Sequence, residues 1–225
     1  MIIGGVLCRA DAANEMAGEI KSLRSRHPFP QDSIQWKNIG RHKTKLYAEF
    51  IDLALRHIDD KRLDFGCAIF ERAQIDHAQY SKGDREAGFS KFLYQMNLSF
   101  ARRYGHQSTI QIYHGQRVSE HPLTNLTNAL NAECLNLFGS SPENPPCHFK
   151  PAKYGDVSAC ELLQIADLFI GAVAHIRNRR FDRYGNTPKH QTARYLESEC
   201  PIASFATQTL TRHFWIWDFR LRGGA

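Results

Sequence analysis

The sequence contains no Cys-x-x-Cys pair. It has no run of about 18 apolar residues free of a charge or a break. Its start lacks a basic stretch followed by a long apolar core. These absences argue against a membrane span and a secretory leader. Six cysteines are scattered along the chain, several in apolar runs such as Gly66-Cys67-Ala68-Ile69. That usage points to reduced core thiols of a cytoplasmic protein, not to a disulfide framework. Cys147 and His148 are adjacent, but no second pair at zinc spacing completes a site. Internal repeats and low-complexity linkers are also lacking.

What is present is ordinary globular composition: 225 residues, 42% hydrophobic and 23% charged. Such a chain can bury a real core, and it reads as one α/β domain over residues 1–225. The formal charge is +6 and the pI about 9.1, with eleven histidines able to add to it at mildly acid pH. A positive balance of this size is compatible with a polyanion such as nucleic acid, without requiring one.

Ile2 to Cys8 reads as a strand whose Gly4-Gly5 lets another backbone approach. Helical spacing follows over Asp11 to Arg26, where Met16, Ile20 and Leu23 share a face. Ser33 to Trp36 is a brief strand expectation. Further helices are predicted over Lys43 to His57, Arg85 to Tyr104, Pro122 to Phe138 and Ala159 to Asn178. Strands are predicted over Leu63 to Glu71, Thr109 to His114 and Cys147 to Pro151. Residues 140–146, "SSPENPP", are the clearest loop. The aromatic end, "FWIWDF", is read as a last strand or a tail.

The stretch "ELLQIADLFIGAVAHI", residues 161–176, is the most informative. On a helix, Glu161, Gln164, Asp167, Gly171 and His175 fall within a sector of about 120°. Apolar residues cover most of the remainder. A plain surface stripe favours Lys, Glu and Arg; this one carries short, geometrically defined groups and a glycine. A carboxylate and an amide one turn apart suit a metal-bound water, a ligand or a backbone segment. Equally, Asp167 can pair with an arginine and Gln164 with a loop backbone, since buried polar groups need partners in either case.

The string "ELLQIADLFIGA" resembles a signature of the DUF3800 family. Gly4-Gly5-Val6, Lys37 in "IQWKN" and "YAEFIDLAL" follow the same family order, so the resemblance spans most of the chain. The Gln-x-x-Asp helix is its one fairly specific motif. The resemblance implies an RNase H-like α/β fold, a mixed sheet flanked by helices. It also implies a hydrolytic or nuclease-like activity, in mobile-element or phage-defence settings. Asp167 would then be a metal ligand, Gln164 would position a water, and Lys37 would contact phosphate. The sequence departs from the pattern at its start, where an acidic Asp-Glu-Ser strand typically precedes the "GGV" strand, and at "IQIYHGQ", which offers His114 in place of an acid.

Those departures bear on the chemistry. Two-metal phosphodiester cleavage needs several carboxylates converging on Mg²⁺ or Mn²⁺, and Asp167 alone does not hold two ions. Glu161 and Glu71 are the further metal-ligand candidates, with Asp156 in a loop. His114 reads either as a ligand or general base or as a satisfied edge histidine. Lys37 reads either as a phosphate contact or as a solvated lysine beside Trp36. The cluster "RNRRFDR" places Arg177, Arg179 and Arg180 after the stripe helix. These cations suit either a helix C-terminus or a nucleic-acid backbone. Two functions are expected from these residues. One is a metal-dependent phosphodiesterase or nuclease. The other is a catalytically silent protein that binds nucleic acid or a protein partner, a second copy of itself included.

Overall fold

A computed structural model describes residues 1–28, 33–70, 84–104, 108–115, 123–139, 147–157 and 160–219. The loop expected at 140–146 and Glu71 lie outside the described residues. The architecture is mixed α/β. The chain divides into two compact units, one formed by Met1–Phe70 with Asp156–Phe219, the other lying within residues 71–155.

The first unit carries a four-stranded sheet in the order β1, β2, β6, β5. Its strands are β1 (Ile2–Cys8), β2 (Leu63–Phe70), β5 (Thr209–Leu210) and β6 (Phe214–Phe219). β2 is antiparallel to β1 and parallel to β6, and β5 is antiparallel to β6. β2 is buried at nearly every position, which is why "LDFGCAIF" reads as a continuous apolar run and not as an alternation. Gly4 faces Cys67 across the β1–β2 pairing, and a Cβ there would come within 2.6 Å of the Cys67 Cβ. The close approach expected at "GG" is therefore real.

Four longer helices belong to this unit: α1 (Ala10–Ser25), α2 (Thr44–Asp59), α5 (Glu161–Arg177) and α7 (Pro188–Glu199). α2 buries Leu46, Tyr47, Phe50, Ile51, Ala54, Leu55 and Ile58, a stripe at helical period. α5 buries Ile165, Leu168, Phe169, Ala172 and Val173 and packs against α1, α7 and β1. Phe65 of β2, Phe169 of α5 and Phe214 of β6 meet with ring centroids 4.9–6.1 Å apart, at the heart of the core. A short helix, α6 (Arg180–Tyr184), follows α5 after Arg179, whose φ of 48° breaks the helical run. Thr187 then caps α7, its hydroxyl accepting from the His190 amide at 3.2 Å, with Pro188 at the first helical position.

The second unit contains α3 (Arg85–Tyr104), β3 (Thr109–Gly115), α4 (Leu123–Phe138) and β4 (His148–Gly155). β3 and β4 pair in parallel, and α4 packs on β4 and on α3.

The strand expected at Ser33 to Trp36 is not one. Residues 33–35 pair with no strand, the Gln35 amide bonding back to the Ser33 carbonyl at 3.1 Å, and Trp36–Asn38 form a 3-10 turn. Amides that a strand would share with a neighbouring strand bond instead to side chains of α5.

Candidate functional site

The polar stripe of α5 holds this segment. Ile34 donates its backbone N–H to Gln164 Oε1 at 2.8 Å, and Trp36 donates its own to Asp167 Oδ2 at 2.7 Å. Two acceptors one i, i+3 step apart on the helix thus take the amides of residues 34 and 36. Between the two amides, the Tyr47 hydroxyl donates to the Gln35 carbonyl at 2.7 Å. Gln164 is fully buried, while Asp167 is half-buried.

The other stripe members serve the same packing. Glu161 Oε1 accepts from Arg24 of α1 at 3.0 Å in a nearly buried ion pair. Gly171 receives the Trp36 indole; a Cβ there would lie 2.3 Å from Trp36 Cγ. The Trp36 ring meets His175 edge-on at 5.7 Å. Trp36 is thus fixed at its backbone by Asp167 and at its ring by Gly171 and His175. Lys37, next in the chain, is exposed on the 3-10 turn.

His114 lies in the other unit. Its Nδ1 is 2.6 Å from the Gly115 carbonyl oxygen, and its ring sits edge-on to Phe89 and Tyr154. Asp156 is exposed ahead of α5. Of the expected metal ligands, the structure brings Asp167 and Glu161 onto one helix face but occupies each with a donor of its own. Among the described residues, no group of three His, Cys, Asp or Glu side chains is placed to hold a metal ion.

Beyond the stripe, the last turn of α5, α6 and the start of α7 border an open depression of about 500 Å³. His175, Arg179, Arg180, Phe181, Asp182, His190 and Arg194 are among the residues that line it. The Phe181 and His190 rings lie 4.4 Å apart, tilted by 36°, and His190 lies 5.5 Å from His175. A row of rings thus runs from Trp36 to Phe181. Burial pushes both histidines below their ordinary range. Nearby positive charge adds to this, from Arg180 and Lys189 at His175 and from Arg194 at His190. His175 Nε2 and His190 Nδ1 are buried without a hydrogen-bond partner among the described residues.

The expected arginines are not equivalent. Arg177 is mostly buried and forms an ion pair with Asp218 of β6 at 3.0 Å. Arg179 and Arg180 are exposed on the rim of the depression. His190 and Arg194 were not anticipated from the sequence. Their i, i+4 spacing on a Pro-started helix is the signal that places them on one face. Burial pushes the Cys67 and Cys147 thiols up to about 12, and Cys8 to about 11, which disfavours the thiolate at these three. All six are free of disulfides.

No protein-family model matches the chain, and neither curated proteins nor solved structures yield a match. Among the described residues, no helix is long and apolar enough to cross a membrane.

Proposed function

We propose that this chain binds nucleic acid through the basic rim where α5, α6 and α7 meet, without itself cleaving it. One observation carries the reading. Arg9, Arg24, Arg56, Arg62, Arg177 and Arg194 each pair with a carboxylate. Arg179, Arg180 and Arg183, clustered in one short segment, have no carboxylate partner among the described residues. Guanidinium groups free of carboxylates, two of them over the Tyr184 ring, beside exposed Phe181 suit a strand that offers phosphates and base faces. Arg177 anchors the end of α5 to β6 instead. An RNase H-type sheet belongs to the same proposal, and the antiparallel and parallel neighbours of β2 are compatible with it.

A filter-binding titration tests the reading. The Arg179→Ala/Arg180→Ala double variant should bind a single-stranded oligonucleotide more weakly and lower its salt slope by about 1–2. Unchanged binding and slope reject this use of the rim.

Metal-dependent phosphodiester cleavage, with Mg²⁺ or Mn²⁺, is the second reading. It is favoured by Asp167, which is half-buried and commits only one carboxylate oxygen to a partner among the described residues. Under it, Asp167→Asn abolishes divalent-ion-dependent cleavage and leaves Tm nearly unchanged. Equal activity in wild type and variant, or none in either, removes that role.

A further inference from the structure

We propose that Cys134 and Cys147 form a reversible disulfide, which staples the end of α4 to the start of β4 when the protein meets an oxidising pool of small disulfides. The site lies within the second unit and does not depend on the basic rim.

Placement comes first. α4 lies antiparallel to β4, and its side chains bond the strand's backbone at successive turns. The Thr127 hydroxyl accepts from the Ala152 amide at 3.3 Å. One turn on, Asn131 accepts from the Phe149 amide at 2.7 Å and donates to the Phe149 carbonyl at 3.0 Å. Cys134 continues the same helix face, since positions three and four apart lie one above the other. On the strand side, Cys147 and Phe149 are both buried and flank exposed His148, so both face the helix. The next contact of the series is therefore thiol against thiol. The Cys134 and Cys147 side chains are hydrogen-bonded to each other. Two anchored turns hold helix and strand at the spacing that brings the sulfurs together, and a disulfide needs that proximity before it can close.

Access comes next. Burial raises both thiols, Cys147 to about 12, so the reactive thiolate is scarce in the closed form. The end of α4 supplies the opening. Leu135 and Leu137 are exposed there, and the helix stops at Gly139, whose φ is 70°. A last turn so lightly covered opens ahead of the rest and uncovers Cys134. Cys134 then gives its proton to water, and its thiolate attacks one sulfur of a low-molecular-weight disulfide such as oxidised glutathione. That S–S bond breaks, one thiolate leaves and takes up a proton, and a mixed disulfide remains on Cys134. The Cys147 thiolate, its own proton lost to water, attacks the Cys134 sulfur and expels the second thiol. The cysteine pair is oxidised by two electrons, and the reagent disulfide is reduced to two thiols.

The experiment holds the intact protein in native buffer at graded ratios of oxidised to reduced glutathione. Samples are quenched in acid, alkylated and mapped by mass spectrometry. A peptide pair joined through Cys134 and Cys147 should accumulate as the ratio rises and vanish with dithiothreitol. The cross-linked protein should melt about 5 °C or more higher, because the bond restricts the unfolded chain between the two cysteines. Cys134→Ser and Cys147→Ser should each lose the cross-link and the rise in Tm, whereas Cys160→Ser should keep both. Mapping of the wild-type protein needs no variant, so it tests the pairing even where a serine variant fails to fold. Mixed disulfides on single cysteines without the cross-link overturn the inference. So do a cross-link that forms only in denaturant, one that joins other cysteines instead, and no oxidation at any ratio. A cross-link that leaves Tm unchanged or lower overturns its role as a staple.

Discussion

Asp167 and Gln164 each accept one backbone amide, and the cost of removing them follows from what is left behind. Gln164→Ala strands the buried Ile34 N–H in a fully enclosed position. It should destabilise by about 1–3 kcal/mol, read as a lower urea midpoint at unchanged slope. Asp167→Asn retains an acceptor for the Trp36 amide and should cost much less than Asp167→Ala. Similar midpoints for the Asn and Ala variants would show that the Trp36 bond contributes little. Gly171→Ala is the sharper test at this scale, because its added methyl meets the Trp36 indole. We expect a loss of about 1–3 kcal/mol, the range for overpacking, and a shift of tryptophan emission as Trp36 leaves its seat. An unshifted spectrum contradicts the described seat.

Between elements, α5 is the common partner. Its first turn is tied to α1 by Glu161 and Arg24, whose side chains are 9% and 14% exposed. Removing one member of a buried pair leaves a charge without compensation, so Glu161→Ala should cost about 3–5 kcal/mol. Glu161→Leu combined with Arg24→Met removes both charges and should recover much of that loss. Failure of the pair to recover would show the ion pair to be worth more than apolar packing there. The last turn of α5 meets α7 through His175 and His190, both held below the ordinary histidine value of 6.5. Unfolded, they take up protons near that value; folded, they resist until lower pH. Their contribution is therefore complete above about 6.5 and is lost as pH falls through the folded values. Urea midpoints should fall between neutral and mildly acid pH, and His175→Gln should flatten that dependence. A parallel fall in the variant would assign it to other groups.

For the whole molecule, the charge of +6 matters less than where it stays uncommitted. Much of the arginine complement of the first unit is matched to carboxylates, which cancels its long-range pull. The segment 179–183 is the described stretch where several guanidinium groups remain unmatched and lie beside aromatic rings. General attraction by net charge would make binding respond alike to any lost cation. Localised attraction makes it respond to Arg179 and Arg180 and little to Arg41 and Lys45, a contrast read by comparing Arg179→Ala/Arg180→Ala with Arg41→Ala/Lys45→Ala in one filter-binding titration.

The sequence by itself determined the elements whose apolar pattern is strong, periodic in α1, α2, α5 and β3 and continuous in β2, and all form close to their expected bounds. It also determined that Glu161, Gln164, Asp167, Gly171 and His175 share one face, because 3.6 residues per turn leaves no other arrangement. What covers that face is a long-range fact. Local pattern carries no record that the amides of Ile34 and Trp36 are brought to Gln164 and Asp167, 130 and 131 residues away. Nor does it show that Asp218 takes Arg177 while Arg179 and Arg180 keep no carboxylate among the described residues. Those pairings arise when helices and strands pack and each buried polar group must find a donor or acceptor. Only the tertiary structure decided them, and with them which groups of the stripe and of the basic cluster remain available to a ligand.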